Sequence, residues 1–194
     1  MSSQSADRAL RGLALTGLLA GLCLGLNAEP RRTGIAADSA AIYALLLDEL
    51  PHAAPIRQPI RLVEVTPAPA AYIGMSHPPL PRDYDWVLRE LPGAQPATVA
   101  DFERRITDHT SLRGLLPRAR VWPVPPSKDG GPAQPVGGLP VHAFSHIGFN
   151  PGRTQAIVYV SYDCGGMCGD GHFVLLERSG RKWRIAGSVM SWIS

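Results

Sequence analysis

Gln155-Ala156-Ile157-Val158-Tyr159-Val160-Ser161-Tyr162, Asp163-Cys164-Gly165-Gly166-Met167-Cys168-Gly169-Asp170-Gly171 and His172-Phe173-Val174-Leu175-Leu176-Glu177 follow one another without a break. The first and third segments are rich in β-branched and aromatic residues and read as strands. The middle segment is rich in glycine, must reverse the chain between them, and sets two thiols four positions apart. It is the chemically distinctive stretch of this chain.

Working outward, Val141 to Gly148 and Lys182 to Ile193 read as two further strands, so the last third is a four-stranded antiparallel meander. Asn150, Pro151 and Gly152 form the turn before Gln155, and Ser179 with Gly180 forms a two-residue hairpin turn before Lys182. Strict alternation puts Trp183, Ile185, Val189 and Ile193 on one face of the last strand and Arg184, Ser188 and Trp192 on the other. The two tryptophans then face opposite sides unless a bulge intervenes.

Upstream, Asp38 or Ser39 can cap a helix whose apolar positions Ile42, Leu45, Leu46 and Leu50 keep helical spacing, and Pro51 ends it. Ile60 to Thr66 alternates like a half-buried strand. Of the 19 prolines, 17 lie between residues 51 and 140, which predicts extended connections interrupted by short helices. Two such helices fit, one from Asp83 to Leu91 and one after a cap at Thr98, with Asp101 at the third position of a capping box and Val99, Phe102 and Ile106 on its apolar face. The stretch 117–140 is a Pro/Gly-rich middle, with Gly130 to Gly138 a loop. The expected class is α+β: N-terminal helices packed on one face of a curved antiparallel sheet that ends in the meander, an outline similar to the NTF2-like rolls.

Residues 1–28 read as a signal peptide, with Arg8 and Arg11 before an apolar run from Leu13 to Leu26 and a small-residue cleavage site ahead of Glu29. A run of this length is too short to span a bilayer, which takes about 20 apolar residues. Leu22 stands before Cys23 where a lipidation signal needs a small residue, so a cleaved signal is the preferred reading. Residues 29–194 are then a single domain in the periplasm or outside the cell, touching membrane only through the signal. From 19 basic and 16 acidic residues, loss of Arg8, Arg11 and Asp7 leaves 17 and 15, a net charge of +2. That balance, with no basic run longer than two, gives nucleic acid no purchase.

Several stretches together resemble one family. They are Phe144-Ser145-His146-Ile147-Gly148-Phe149-Asn150, Ala156 with Val158-Tyr159-Val160, Cys164-Gly165 with Cys168-Gly169 and Gly171, Trp183, and Trp192-Ile193-Ser194. The chain is similar in these residues to a family of exported bacterial proteins of unknown function, and Thr98, Asp101 and Phe102 resemble that family's helix signature. The resemblance is strong over the C-terminal third and brings no activity with it.

Three readings of the central motif stay open. In an oxidising compartment Cys164 and Cys168 form a disulfide that clips the loop at 164–168, adding rigidity at the tip. Alternatively Cys164, Cys168 and His172, with Met167 near, supply three ligands for Zn²⁺ or Cu(I), which His142 or His146 would have to complete. A redox dithiol is the third, although its usual spacing is tighter and sits at a helix N-terminus. His109 is a solitary helix-surface histidine, whereas His142 and His146 would share a strand face. Ser145 and His146 are adjacent, hence on opposite faces, so a hydrolase would need His142 or His172 brought to Ser145. No cofactor motif is present. The favoured expectation is a non-catalytic binding or interaction module that presents Asp163, Met167, Asp170 and His172 around the clipped loop to a protein or small-molecule partner, with the metal-handling or redox protein as the alternative.

Overall fold

The computed structural model describes residues 29–49, 60–63, 84–105, 108, 111–112, 114–116, 121–125, 140–165 and 168–193. The chain divides into two units, 1–38 and 39–194. Of the first, residues 29–38 are described, and they are helical. The remaining observations concern the second unit.

The α+β class is as expected. Helix α1 (Glu29–Glu49) precedes β1 (Ile60–Val63), then come α2 (Asp85–Glu90), α3 (Pro96–Arg104), β2 (Val121–Val124), β3 (Val141–Phe144), β4 (Gly148–Phe149), β5 (Gln155–Asp163), β6 (Gly169–Ser179) and β7 (Lys182–Ile193). One sheet runs in the order β2-β1-β3-β5-β6-β7, with β4 also paired to β5. From β3 to β7 all pairs are antiparallel, the meander read from the sequence. The other edge is parallel, because β1 lies between β2 and β3 and pairs parallel with both. Strand β2 falls inside the Pro/Gly-rich stretch, where the sequence pattern predicts no strand. Pro123 fits there because β2 is an edge strand.

Several boundaries differ from expectation, each for a local reason. Helix α1 starts at Glu29 and runs through Asp38 and Ser39, so neither is its cap. Helix α3 starts at Pro96, whose fixed φ and missing N–H suit a first helical position, and Thr98 is inside the helix. Thr98 instead donates its hydroxyl to Gln155 Oε1 at 2.9 Å. The expected strand from Val141 to Gly148 breaks after Phe144. There the Ser145 hydroxyl accepts from Tyr159 N–H at 2.8 Å and donates to His146 O at 2.7 Å, taking over backbone partnerships. The last hairpin turns on Gly180 and Arg181, since Ser179 pairs with Lys182, and Gly180 adopts φ 62°, which only glycine does at little cost. Ile106, His109, the continuation of β1 to Thr66 and the loop 130–138 lie outside the described residues.

Helices cover both faces of the sheet, not one. On the first face, α2 and α3 bury Tyr84, Val87, Leu91, Val99 and Phe102 against Ile157, Tyr159, Phe173 and Leu175. Phe173 is the centre of that core: Tyr84, Trp86 and Phe102 meet its ring edge-on at 5.5 to 5.9 Å and Tyr159 lies at 5.0 Å. The second face carries the alternate residues, and there Tyr43 of α1 stacks on Phe144 at 5.6 Å and donates its hydroxyl to Ser145 O at 2.9 Å. Burial raises the Tyr43 pKa, which keeps the proton on that donor.

Polar ties lock α3 to the β4–β5 turn. Asp101 accepts the Phe149 N–H at 2.9 Å while pairing with Arg104 and Arg105. Gln155 takes the Gln95 N–H at 2.7 Å and donates to Gly93 O, and Asn150 holds Thr154 and Gln155 by their N–H groups. Gly148 lies so near Phe102 that an added Cβ would sit 2.5 Å from its backbone. Thr98, Asp101, Phe102, Gly148, Phe149 and Asn150, all part of the motif read in the sequence, therefore meet in one structural clamp.

Two bulges re-phase β7, at Ala186 and Ser191, where pairing skips from Leu176↔Ile185 to Leu175↔Gly187 and from His172↔Met190 to Gly171↔Trp192. Trp183, Ile185 and Ile193 do share a face, but Ser188 joins them while Val189 packs on the opposite face beside Trp192. Two bulges cancel, so the tryptophans still end on opposite faces.

Candidate functional site

The reversal between β5 and β6 is shorter than the sequence suggests. Pairing continues to Asp163↔Gly169, leaving residues 164–168 as the loop. Cys164 and Cys168 are joined as a disulfide with Cα atoms 5.3 Å apart, inside the range such bonds need. Cys164 N–H also donates to Cys168 O at 3.0 Å, and Asp163 Oδ1 accepts the Gly165 N–H at 2.8 Å, with Gly165 at φ 86°. Asp163 thus serves its own loop, as an Asx turn. Met167 lies outside the described residues.

Gly169 and Gly171 belong to the strand, and a close approach explains both. An added Cβ on Gly171 would lie 2.1 Å from Tyr159 Oη and 2.2 Å from Trp192 Nε1, and one on Gly169 3.0 Å from the Trp192 ring. The Trp192 indole covers the two glycines and donates to Tyr159 Oη. Burial raises the Tyr159 pKa, with the Trp192 and Ser191 hydrogen bonds opposing it. Because strand side chains alternate, the residues between the glycines point the other way: Asp170 and His172 face the side of α1.

There they meet a cavity of about 170 Å³, partly open to solvent. Its apolar walls are Leu46 of α1, Val160, Val174 and Ile185. Polar groups come from Glu49, His142, Tyr162, Asp170, His172 and Ser188. The strand register assembles them: His142 pairs with Tyr162 and Tyr162 with Asp170, Val160 with His172, Val174 with Ser188. His142 is buried and its ring lies 5.0 Å from that of Tyr162. His172 Nε2 is 3.2 Å from Asp170 Oδ1, both half-buried. Glu49 is exposed, at the mouth.

Of the sequence-derived site residues, Asp170 and His172 come together in this wall, next to the clipped loop. With their sulfurs bonded to each other, Cys164 and Cys168 offer no thiolate in this state, and among the described residues no group of three His, Cys, Asp or Glu is placed to hold a metal. His142 and His146 do not share a face, because the strand ends between them. His146 sits against Arg105, Nε2 to Nη1 at 3.1 Å, and its pKa is lowered by burial first and by that guanidinium second. Ser145 spends its hydroxyl on the backbone, as described above. Nothing in the sequence by itself singles out Glu49, Tyr162 or Ser188. Tyr162 was within reach, since a hairpin centred on Cys164 and Cys168 pairs it with Asp170. Glu49 and Ser188 were not, as their place depends on where α1 lands and on the Ala186 bulge.

Comparison of the chain with protein-family models, with curated proteins and with solved structures finds no match to any of them.

Proposed function

We propose that the chain is an exported, non-catalytic binding module that holds a small, mainly apolar molecule in the cavity beneath α1, with the Cys164–Cys168 ring fixing the adjacent rim. The observation that carries this reading is the cavity itself, about 170 Å³ with apolar walls and a few polar groups converging on it. Binding sites have that composition, and an apolar cavity of about 150 Å³ is enough for a benzene-sized ligand. Export is supported by the signal-like segment 1–28 and fits a disulfide that persists outside the cytosol.

Toluene, benzyl alcohol and indole serve as neutral probes in calorimetric titration and thermal melting of the oxidised full chain. Saturable binding is expected, abolished by Val174→Phe, which fills the cavity while the far-ultraviolet circular dichroism stays unchanged. No binding of any of the three, or binding indifferent to Val174→Phe, defeats the reading.

A further inference from the structure

We infer that the Cys164–Cys168 ring is a thiol–disulfide exchange site for a dithiol, with Cys168 the sulfur attacked and Cys164 the resolving thiol. The inference goes beyond the binding reading and stands independently of the cavity.

The bond is separable from the fold. It closes a loop of five residues, and so short a loop takes little entropy from the unfolded chain. What holds this end is backbone: the Asp163↔Gly169 pair, the Cys164 N–H donating to Cys168 O at 3.0 Å, and the Gly165 N–H donating to Asp163 Oδ1 at 2.8 Å. Trp192 packs over Gly169 beside them. None of these contacts uses a sulfur atom, so they persist when the S–S bond opens. Two thiols kept at neighbouring places then close again without a search.

The two ends of the bond are not equivalent, because Cys168 is exposed and Cys164 half-buried. Exchange goes to the sulfur an incoming thiolate can reach. In the first step that thiolate bonds to Cys168 Sγ while the ring's S–S bond breaks, its electron pair leaving on Cys164 Sγ, which takes a proton from water. Cys164 Sγ lies 3.0 Å from Cys168 O, so the new S–H donates to that carbonyl and stays beside the mixed disulfide. From there Cys164 attacks Cys168 again and expels a monothiol before a second one arrives from solution. A dithiol escapes this return, since its own second thiol attacks its first sulfur and releases Cys168 as the thiolate. The dithiol gives up two electrons and two protons and becomes a disulfide, and the chain takes up both and becomes the dithiol. The reverse sequence oxidises the partner.

The test uses the oxidised full chain at pH 8 without denaturant, with Cys23, which lies outside the described residues, changed to Ser in every sample. Dithiothreitol should open the ring at a rate proportional to its concentration, with the far-ultraviolet circular dichroism unchanged, and oxidised glutathione should then close it again with no glutathione retained. Cys164→Ser should keep one glutathione on Cys168, and should acquire it about fivefold or more faster than Cys168→Ser acquires one on Cys164, as exposure of the thiol dictates. Acid quenching, alkylation and intact mass read each species. Reduction that proceeds only in urea, a parent chain that retains glutathione, equal or reversed rates for the two variants, or loss of the fold in either variant or on reduction overturns the inference.

Discussion

The two faces of the sheet are built from alternate residues of the same strands and have opposite characters. On the α2–α3 face, Phe173 is enclosed by four aromatic rings and the helix is tied down by Asp101, Gln155 and Thr98. On the α1 face, Tyr43 and Phe144 stack over β3, but beside them a cavity remains over β5, β6 and β7, and Ile185, Met190 and Ile193 of β7 stay exposed. One strand therefore serves two purposes at a period of two residues. The dense face holds the fold, and the open face is free to carry function.

Neighbouring residues test this contrast. Phe173→Ala removes the central ring of the dense face and should destabilise the protein by about 3–5 kcal/mol, as large-to-small changes at fully buried aromatics do. Val174→Ala, one residue along, removes two methyl-sized groups from a wall that already borders empty space and should cost about 1–2 kcal/mol. Urea denaturation of both variants reads the difference directly. Equal losses would mean that the α1 face is as tightly packed as the other and would remove the basis of the comparison.

Much of the dense face was legible in the sequence, and most of the open face was not. The β5 and β6 runs and the long last strand announce themselves by β-branched and aromatic content. Thr98, Asp101 and Phe102 could be placed on a helix, though the start at Pro96 needed the fixed φ of proline to outrank a threonine cap. The Gly-Asp-Gly run reads as loop because glycine disfavours strands, whereas in the fold the absent Cβ atoms make room for Trp192. That trade is long-range, with Gly171 and Trp192 on neighbouring strands, and leaves no local trace. The cavity is less legible still, since it depends on the landing site of α1 and on a bulge at Ala186 that turns Ser188 toward it.

The disulfide closes the β5–β6 end that borders the cavity. It closes a loop of five residues, so its effect on the unfolded chain is small and its removal should cost about 2 kcal/mol or less. Its local effect should be larger, because Tyr162 and Asp170 are the pair that follows Asp163↔Gly169 at the clipped end. Cys164→Ser with Cys168→Ser should therefore weaken probe binding more than it lowers the melting temperature would suggest, while near-ultraviolet signals from the aromatic cluster around Phe173 persist. Intact mass checks the premise: the oxidised chain should be two daltons lighter than the reduced one. A double variant with full probe affinity would separate the loop from the site.

The smallest expected effect concerns pH and belongs to the edge of the dense face. His146, held against Arg105, has its pKa lowered below the ordinary 6.5 by burial and by the guanidinium, with Asp108 and Asp101 pulling the other way. The unfolded chain then binds a proton more readily than the folded one, so stability is intact above pH 6.5 and declines as pH falls from there through the lower folded pKa. His146→Gln has no proton to take up and should lose this part of the decline. Urea midpoints between pH 5 and 8 measure it, and the variant's profile should be the flatter one on the acid side of neutrality. The cavity lies on the other face from this contact, so probe binding at pH 8 should be the same in the variant and the parent. If His146→Gln changes probe affinity as much as stability, the two faces are coupled through the Ser145–His146 link, and the division of labour between them fails at that point.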